Sequence, residues 1–280
     1  HWVLVGGSPD FQAMPGLRDG ALRMFAGPGA NQIQVLPHDG NGITLYNGTT
    51  KQWQLYAVSN NGISVDITNC TIDGVAGSSL AADTNYWIYL YIAAGVPAVE
   101  FSTTAEAAEA ITNYQVKTGD QTRRLVGGVK KFSVSGLGLG AQNNNAGSYF
   151  DRLHINPSSA ITGNSTSASW TALSTTTTRL TFWAWGDGAE PELKVCGTFS
   201  PDTNAVVYSV GISINGAAPL AVSVQSFTST GVGNLVPLCV LGPSNANAEG
   251  GQTVDLVVQT NGVARITISG SALLEARLRG

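Results

Sequence analysis

Apolar residues at every second position constrain the fold of this chain more than any other feature of its sequence. Successive side chains of a β-strand point to opposite faces, so this period predicts half-buried strands. In the segment 86–92, alternation places Tyr86, Ile88, Leu90 and Ile92 on one face. The same alternation recurs at Val206, Tyr208, Val210, Ile212 and Ile214, at Val254, Leu256 and Val258, and at Ala264, Ile266 and Ile268.

Asn-Gly pairs stand beside many of these runs. They begin at Asn41, Asn47, Asn61, Asn215 and Asn261. Asn-Gly favours the type I′ turn, which needs positive φ at both central residues and joins antiparallel strands. The pattern therefore predicts antiparallel meanders and not a βαβ architecture, which would need helices between its strands.

Two short stretches have helical character. Thr103 to Glu106 resembles a capping box, and good helix formers follow in 105–111. The tail 271–278 is a second candidate. Both are too short to change the class, which is all-β, with two antiparallel β-sandwich domains of jelly-roll or Ig-like type.

A change of composition marks the predicted domain boundary. Residues 136–148 are rich in Gly and Asn, and residues 157–169 are rich in Ser and Thr. We place a sandwich of stem or shoulder type at 1–156 and a jelly-roll-like sandwich, with the expected receptor-binding site, at 157–280.

The charge content limits the kinds of partner. Charged residues make up 11% of the chain, against roughly 25% in an average globular domain. The net charge is −4, so we expect no nucleic-acid partner. The nearest basic group, Arg123, Arg124, Lys130 and Lys131, is interpreted as a solvated strand edge. The absence of any run of about 20 apolar residues argues against membrane insertion.

Catalytic motifs are weak, so we expect no enzyme activity, no cofactor and no metal. The three histidines, His1, His38 and His154, are far apart in the sequence. The glycines of 136–140 lead into an Asn-rich loop and not into a helix, as a nucleotide site would require. The densest acidic group, Asp187, Glu190 and Glu192, is interpreted as a charged loop, with a calcium site as the alternative.

Aromatic residues are the strongest functional candidates. Alternation in 179–185 places Leu180, Phe182 and Ala184 on one face and Trp183 and Trp185 on the other. The two tryptophans can form an interdomain or intersubunit contact, belong to the core, or stack on sugar rings. In the last case Asp187 would bind sugar hydroxyls. The face formed by Trp87, Tyr89 and Tyr91 is the candidate oligomer interface.

The three cysteines, Cys70, Cys196 and Cys239, do not have the spacing of a zinc site. We interpret them as small buried apolar residues, with a Cys196–Cys239 bridge as an open alternative. So few cysteines are compatible with assembly in a reducing cytoplasm.

Six segments of the first half carry a family resemblance: GITLYNG at 42–48, WQLY at 53–56, LAADTNY at 80–86, YLY at 89–91, KTGDQTRRLVG at 117–127 and SYFDR at 148–152. With them, the chain over about 35–155 resembles a module of phage tail fibres, virion spikes and gene-transfer-agent-like particles. The resemblance implies a β-sandwich stem or shoulder that is often followed by a tip that binds the host receptor.

These observations together predict a virion spike or tail-fibre subunit that attaches the particle to a bacterial surface glycan. The expected partners are further copies of the chain, most often in a trimer, and other virion proteins. The expected location is the virion, assembled in the bacterial cytoplasm. The alternatives are a structural capsid decoration protein and a depolymerase of surface glycans.

Overall fold

The computed structural model describes residues 22–26, 31–37, 41–132, 139–140, 143–144, 146–150, 158–174, 178–186, 191–243 and 249–277. In this part of the chain the regular structure is β-strand, apart from one 3₁₀ turn at Ala221–Ser223. The all-β prediction is therefore confirmed. Within the same residues, no helix is long and apolar enough to cross a membrane.

The strands are numbered in chain order. They are β1 (Leu22–Ala26), β2 (Gln32–Pro37), β3 (Gly42–Asn47), β4 (Gln52–Ala57), β5 (Ile63–Asp66), β6 (Cys70–Ile72), β7 (Val75–Ser78), β8 (Thr84–Ala93), β9 (Val96–Ser102), β10 (Glu106–Ala108), β11 (Gln115–Lys117), β12 (Asp120–Lys131), β13 (Leu139–Gly140), β14 (Asn143–Asn144), β15 (Ala146–Ser148), β16 (Ser158–Ile161), β17 (Asn164–Ser165), β18 (Thr171–Ala172), β19 (Leu180–Ala184), β20 (Glu192–Pro201), β21 (Val207–Ile214), β22 (Val224–Thr228), β23 (Val236–Pro243), β24 (Gly250–Gln259), β25 (Ile266–Ile268) and β26 (Ala272–Arg277).

The chain divides into two compact units. Unit 1 comprises His1–Ser79, Trp87–Gly127 and Ser148–Asp151, and unit 2 comprises Leu80–Tyr86, Gly128–Gly147 and Arg152–Gly280. The predicted boundary at residues 156–157 lies outside the described residues and stays a prediction.

Unit 1 contains the sheet β1-β2-β5, the hairpin β3-β4, and most of a larger sheet in the order β10-β11-β12-β8-β9-β6-β7, with β15 paired to β12. The prediction of a solvated edge at Arg123 and Arg124 is wrong. Strand β12 has a neighbour on each side, and the Arg124 side chain is buried.

Unit 2 contains a sandwich of two antiparallel sheets. One has the order β19-β24-β21-β22, and in the other β20 pairs with β26 and β25 along one edge and with β23 along the opposite edge. Consecutive strands change sheets at β19 to β20, β20 to β21, β22 to β23, β23 to β24 and β24 to β25. With β16 beside β26, this is the strand order of a jelly roll.

The core of unit 2 confirms the alternation read from the sequence. Every inward residue predicted for the three runs lies in one hydrophobic cluster or packs against it. Leu180, Phe182 and Ala184 of β19 belong to the same cluster, which also confirms the inward face predicted there.

The outer edge of β23 is protected against further strand pairing. The Cα atoms of Cys196 and Cys239 lie 4.1 Å apart, which identifies a non-hydrogen-bonded pair, so the N–H of Cys239 points away from β20. Pro237 and Pro243 are each an even number of residues from Cys239, so their backbone nitrogens also point away from β20. Because they are prolines, these nitrogens carry no hydrogen and cannot donate to an added strand. The 3₁₀ turn also approaches this strand, since a Cβ on Gly242 would lie 2.6 Å from the Ser223 Cβ.

The turns agree with the Asn-Gly prediction at one of its five sites. Asn215 and Gly216 have φ of 51° and 74°, and the Ala217 N–H donates to the Ile214 carbonyl at 3.0 Å. The other four asparagines lack positive φ. Instead, Asp73-Gly74 and Ala94-Gly95 form tight hairpins with positive φ at both positions.

Both helix predictions are wrong. Residues 106–108 form β10, which pairs with β11, and the Thr118 N–H and hydroxyl both donate to the Ala105 carbonyl. Residues 272–277 form β26, which pairs with β16 and β20. In both segments backbone bonds to a paired strand override the local helix propensity.

Candidate functional site

The predicted glycan residues lie at the end of β19 in unit 2. Trp183 is 4% exposed, and its ring packs on the backbone of Gly128, where a Cβ would lie 2.0 Å from Cζ2. Trp185 is half-buried and meets Trp183 edge to face, with 5.7 Å between the ring centroids. Asp187 lies outside the described residues. A glycan contact by Trp183 would require its ring to leave this packing.

The predicted oligomer face on β8 is also occupied by the chain itself. Tyr89 is fully buried, and its hydroxyl donates to the Thr104 carbonyl at 2.9 Å. Tyr91 is half-buried, with the Arg123 guanidinium 4.5 Å from its ring centroid. Trp87 is half-buried. Only partial surfaces of Trp87 and Tyr91 are therefore open to a partner subunit.

An ion network that the sequence analysis missed lies on the same face. The Glu100 carboxylate, 1% exposed, accepts from Lys117 Nζ at 3.0 Å and from Arg123 Nη2 at 3.1 Å. Lys117 Nζ also donates to Asp73 Oδ1 at 2.8 Å. The Ser102 hydroxyl is a further donor to Asp73. A buried carboxylate with two cations is expected only when the charges are paired.

The pKa values of this network follow from its pairing. Partial burial alone would raise the pKa of Asp73, but the hydrogen bonds from Lys117, Ser102 and Thr103 outweigh it and hold that pKa below its ordinary value. Burial alone would lower the pKa of Lys117, but Asp73 and Glu100 raise it. The network ties β9, β11 and β12 to the β6–β7 turn, which is a structural role.

A row of aromatic rings in unit 1 is the best candidate for ligand contact. We call it the aromatic ladder, and it consists of Tyr46, Trp53, Tyr114, Arg124, Phe150 and Tyr149. Tyr46 and Trp53 face each other across the β3-β4 hairpin with 5.5 Å between ring centroids. Trp53 meets Tyr114 edge to face at 5.0 Å. All five aromatic residues are half-buried, so part of each remains open.

Arg124 supports the aromatic ladder from within. It is 5% exposed, and its guanidinium carbon lies 3.9 Å from the Tyr114 ring centroid and 5.2 Å from that of Phe150. Its Nη1 donates to the Thr44 carbonyl of β3 at 2.8 Å. One buried cation thus links the hairpin, the β10–β11 loop and β12.

The β10–β11 loop positions Tyr114 through Glu109. The Glu109 carboxylate accepts from the Thr112 N–H and hydroxyl at 2.7 Å each, and these bonds lower the pKa of Glu109. Ile111, at the tip of this loop, is 91% exposed. An ordered loop that carries an aromatic ring at a strand hairpin is a common position for recognition residues.

Amide and hydroxyl groups line the opposite face of the same hairpin. Asn47 Nδ2 donates to Gln54 Oε1 at 3.1 Å and to the Tyr56 hydroxyl at 3.0 Å, and that hydroxyl donates to Gln54 Oε1 at 2.7 Å. By register, Gln54 is opposite Leu45 and Tyr56 is opposite Ile43, whereas Trp53 is opposite Tyr46. The β3-β4 hairpin therefore has one face with the aromatic pair and one face on which these polar groups lie beside the fully buried Ile43 and Leu45.

Asp187 and Glu190, the candidate calcium ligands, lie outside the described residues, so the calcium alternative stays untested. In the described part of the chain, no three His, Cys, Asp or Glu residues converge in a way that could hold a metal ion. The three histidines of the sequence lie outside the described residues. The most buried carboxylate of unit 2, Asp255, pairs with Arg179 at 3.2 Å.

Sequence reasoning did not find the aromatic ladder, although four of its rings lie in the segments that carry the family resemblance. Tyr46, Trp53, Tyr149 and Phe150 are in those segments, but Tyr114 is not. The contacts join residues up to 80 positions apart in sequence. Only the charge of Arg124 within a strand-like segment could have pointed to a buried cation.

Comparisons with known proteins give weak similarities. Neither a protein-family model nor a curated protein sequence matches this chain. A solved structure described as "CBM4 structure and function" is 15% identical, with 41% of this chain and 82% of that chain covered and a TM-score of 0.23. The infectious bursal disease virus Gx strain structure is 12% identical, with 94% and 73% covered and a TM-score of 0.28.

A third similar structure is the exo-beta-1,3-galactanase of Phanerochaete chrysosporium with galactose. It is 9% identical and has a TM-score of 0.23, and the match covers 93% of this chain and 57% of that one. TM-scores of this size establish no shared fold. The architecture of this chain therefore rests on its own strand order, and its function on its own site.

Proposed function

We propose that this chain is a non-catalytic subunit of a phage or phage-like virion spike or tail fibre, and that it attaches the particle to bacterial surface polysaccharide. The observation that carries the proposal is the aromatic ladder, in which the partly exposed rings of Tyr46, Trp53 and Tyr114 contact one another edge to face and Tyr114 lies on the buried Arg124 guanidinium. Aromatic faces stack on the apolar faces of sugar rings. The family resemblance over residues of about 35–155 supplies the virion context.

The aromatic ladder suits weak binding that is multiplied by copy number. Single aromatic contacts contribute little, but linked sites gain avidity of about 10²–10⁴. We therefore propose a homo-oligomer, expected to be a trimer as in fibres, that binds other virion proteins at one end. Trp185 and Asp187 remain proposed as a second glycan contact.

We also propose that the chain is assembled in the bacterial cytoplasm and functions outside the cell. The Cys196–Cys239 disulfide of β20 and β23 is compatible with this route if the bridge forms after the particle leaves the cell. The low charge of the chain suits a particle that must not adhere to surfaces non-specifically.

The test is binding of the purified chain to encapsulated bacterial strains and to capsule-free derivatives of the same strains. Wild-type chain is expected to bind only the encapsulated cells. Trp53→Ala and Tyr114→Ala should each weaken binding at least tenfold, or about 1.4 kcal/mol. Trp53→Phe should retain most of it. Trp170→Ala, at a half-buried tryptophan of unit 2, is the matched control, and Trp185→Ala tests the second contact.

Three outcomes would contradict the proposal. Equal binding to both cell types would exclude polysaccharide as the receptor. Wild-type affinity in Trp53→Ala, with an unchanged circular dichroism spectrum, would exclude the aromatic ladder. New reducing ends released from purified capsule would indicate a depolymerase instead.

A further inference from the structure

The outer face of the jelly-roll sheet that contains β20 carries an apolar row. Strand register aligns Ala160, Leu273, Cys196 and Cys239 across four strands. Leu273 is 43% exposed, and Leu241, one register step along β23, is 64% exposed. Their sequence neighbours Leu274 and Val240 are buried in the core, so the exposed residues are additional to those the fold needs. Contiguous exposed apolar residues mark interaction surfaces.

Charges of both signs lie beside this row. Lys194 and Glu275 are 3.7 Å apart, and Arg277 and Glu192 are also 3.7 Å apart. These four side chains are 39–65% exposed. The face therefore carries two positive and two negative groups, a net charge of zero, whereas the whole chain carries −4. Exposed ion pairs at these distances contribute little stability within one chain.

This balance favours a second copy of the same face as the occupant. In a two-fold contact each surface meets itself, so an excess of one charge would repel. Here the two signs are equal, and each cation can meet a carboxylate of the other copy. Lateral addition of a strand is blocked because Pro237 and the 3₁₀ turn protect the edge of β23, so the partner must approach the face.

The area of this face sets the expected affinity of self-association. The strands β16, β26, β20 and β23 have 4, 6, 10 and 8 residues, so a rise of about 3.3 Å and a spacing of about 4.8 Å give roughly 450 Å² for each copy. Two copies would bury about 900 Å², a size at which protein contacts are weak and transient. An interface of this size predicts reversible association at micromolar concentrations and not a permanent dimer.

We infer that the outer face formed by β16, β26, β20 and β23 is a self-association surface, on which two copies of this chain pair through the apolar row and exchange ion pairs. The contact joins subunits two by two, in addition to any trimer axis of a fibre. It does not depend on glycan binding.

Sedimentation velocity of the full chain between about 1 and 500 µM tests the inference. Wild-type chain is expected to show a reversible doubling of its smallest species, from monomer to dimer or from trimer to hexamer, with a Kd on the order of 10–500 µM. Leu273→Glu and Leu241→Glu should each weaken it at least tenfold. Val263→Glu, at a residue of unit 2 that is 84% exposed and lies outside this face, is the matched control and should leave the Kd unchanged.

A charge exchange gives a second readout that does not disturb the apolar row. Lys194→Glu should weaken dimerisation, and the double variant Lys194→Glu/Glu275→Lys should restore it, because the face is again neutral. A smallest species that does not double at any concentration would overturn the inference. So would a loss of association in Val263→Glu equal to that in Leu273→Glu.

Discussion

The guanidinium carbon of Arg124 lies 3.9 Å from the ring centroid of Tyr114, in a part of unit 1 where Arg124 is almost completely buried. A lysine cannot reproduce the planar stacking or the bond to the Thr44 carbonyl. Arg124→Lys should therefore lower the free energy of unfolding by about 1–3 kcal/mol. Urea denaturation followed by tryptophan fluorescence measures this loss.

Arg277→Lys is the matched control for that measurement, because the Arg277 side chain is 65% exposed. Its effect should stay within about 0.5 kcal/mol. Equal effects at the two positions would mean that the stacking of Arg124 on Tyr114 contributes no stability.

Gly128 is predicted to tolerate no side chain. An added Cβ would lie 2.0 Å from Trp183 Cζ2, and a packed indole ring cannot move aside without leaving a void. Gly128→Ala should cost about 1–3 kcal/mol, visible as a lower midpoint in thermal denaturation. Adding Gly128→Ala to a Trp183→Phe background should lower the midpoint less than adding it to wild type, because the smaller phenylalanine ring leaves space for the Cβ.

Gly48→Ala is the corresponding control, since its nearest atom, Thr122 Cγ2, would be at an ordinary 3.5 Å. Its midpoint should be unchanged or slightly raised. A Gly128→Ala variant as stable as this control would show that Trp183 is not held as described.

Acid should destabilise unit 1 through Asp73. The pKa of Asp73 is lowered in the folded chain. Its contribution to the free energy of unfolding is therefore fully present above the ordinary pKa of 3.8 and is lost as pH falls through the folded pKa. Asp73→Asn should therefore flatten the acid side of the curve of unfolding free energy against pH. Asn also suits the positive φ of 48° at this turn, so the variant should fold. A slope identical to wild type would contradict the pairing with Lys117.

Asp255 should make the free energy of unfolding depend on pH in the opposite direction. Burial raises its pKa above the usual value despite the bonds from Arg179 and Ser174. A raised carboxyl pKa means that stability is highest below the ordinary value and falls as pH rises through the folded pKa. Asp255→Asn should remove this fall in a pH series of urea titrations. A steeper fall in the variant would show that the ion pair with Arg179 dominates.

The three cysteines should respond differently to a thiol reagent. Cys196 and Cys239 form a disulfide, and burial raises the pKa of Cys70 to about 11, so no thiol should react in the oxidised native chain. After reduction of the folded protein two thiols should react, and after unfolding three. Reaction of Cys70 before unfolding would contradict its burial. Loss of the bridge should also cost about 2–4 kcal/mol.

The sequence alone predicts the core of unit 2 well, because alternation of the kind seen at Val254, Leu256 and Val258 depends only on local geometry. It fails at residues 105–111, where a local helix signal is overridden by pairing between β10 and β11. It also leaves open whether the outer face of a strand meets solvent. The ring of Trp183 is covered by a distant glycine segment that no local pattern reveals.

The candidate site was less predictable than the fold for the same reason. The aromatic ladder joins rings from β3, β4, a loop near residue 114 and the segment after β15, and none of these segments is distinctive alone. Trp183 and Trp185 could be predicted as a pair because they are two residues apart at the end of β19. Proximity along the chain is a poor guide when both faces of a sheet are covered.

The missing N–H groups of Pro237 and Pro243 have a consequence for a subunit that is displayed at high density. If the chain is displayed on a particle, as proposed, neighbouring copies would meet at high local concentration, where an unprotected edge strand would pair with other copies into a continuous intermolecular sheet. Pro237 and Pro243 lie near the two ends of β23 and interrupt that ladder at the first and last of its outward-facing backbone nitrogens. On such a particle, crowded copies could then contact one another and separate again without forming a shared sheet.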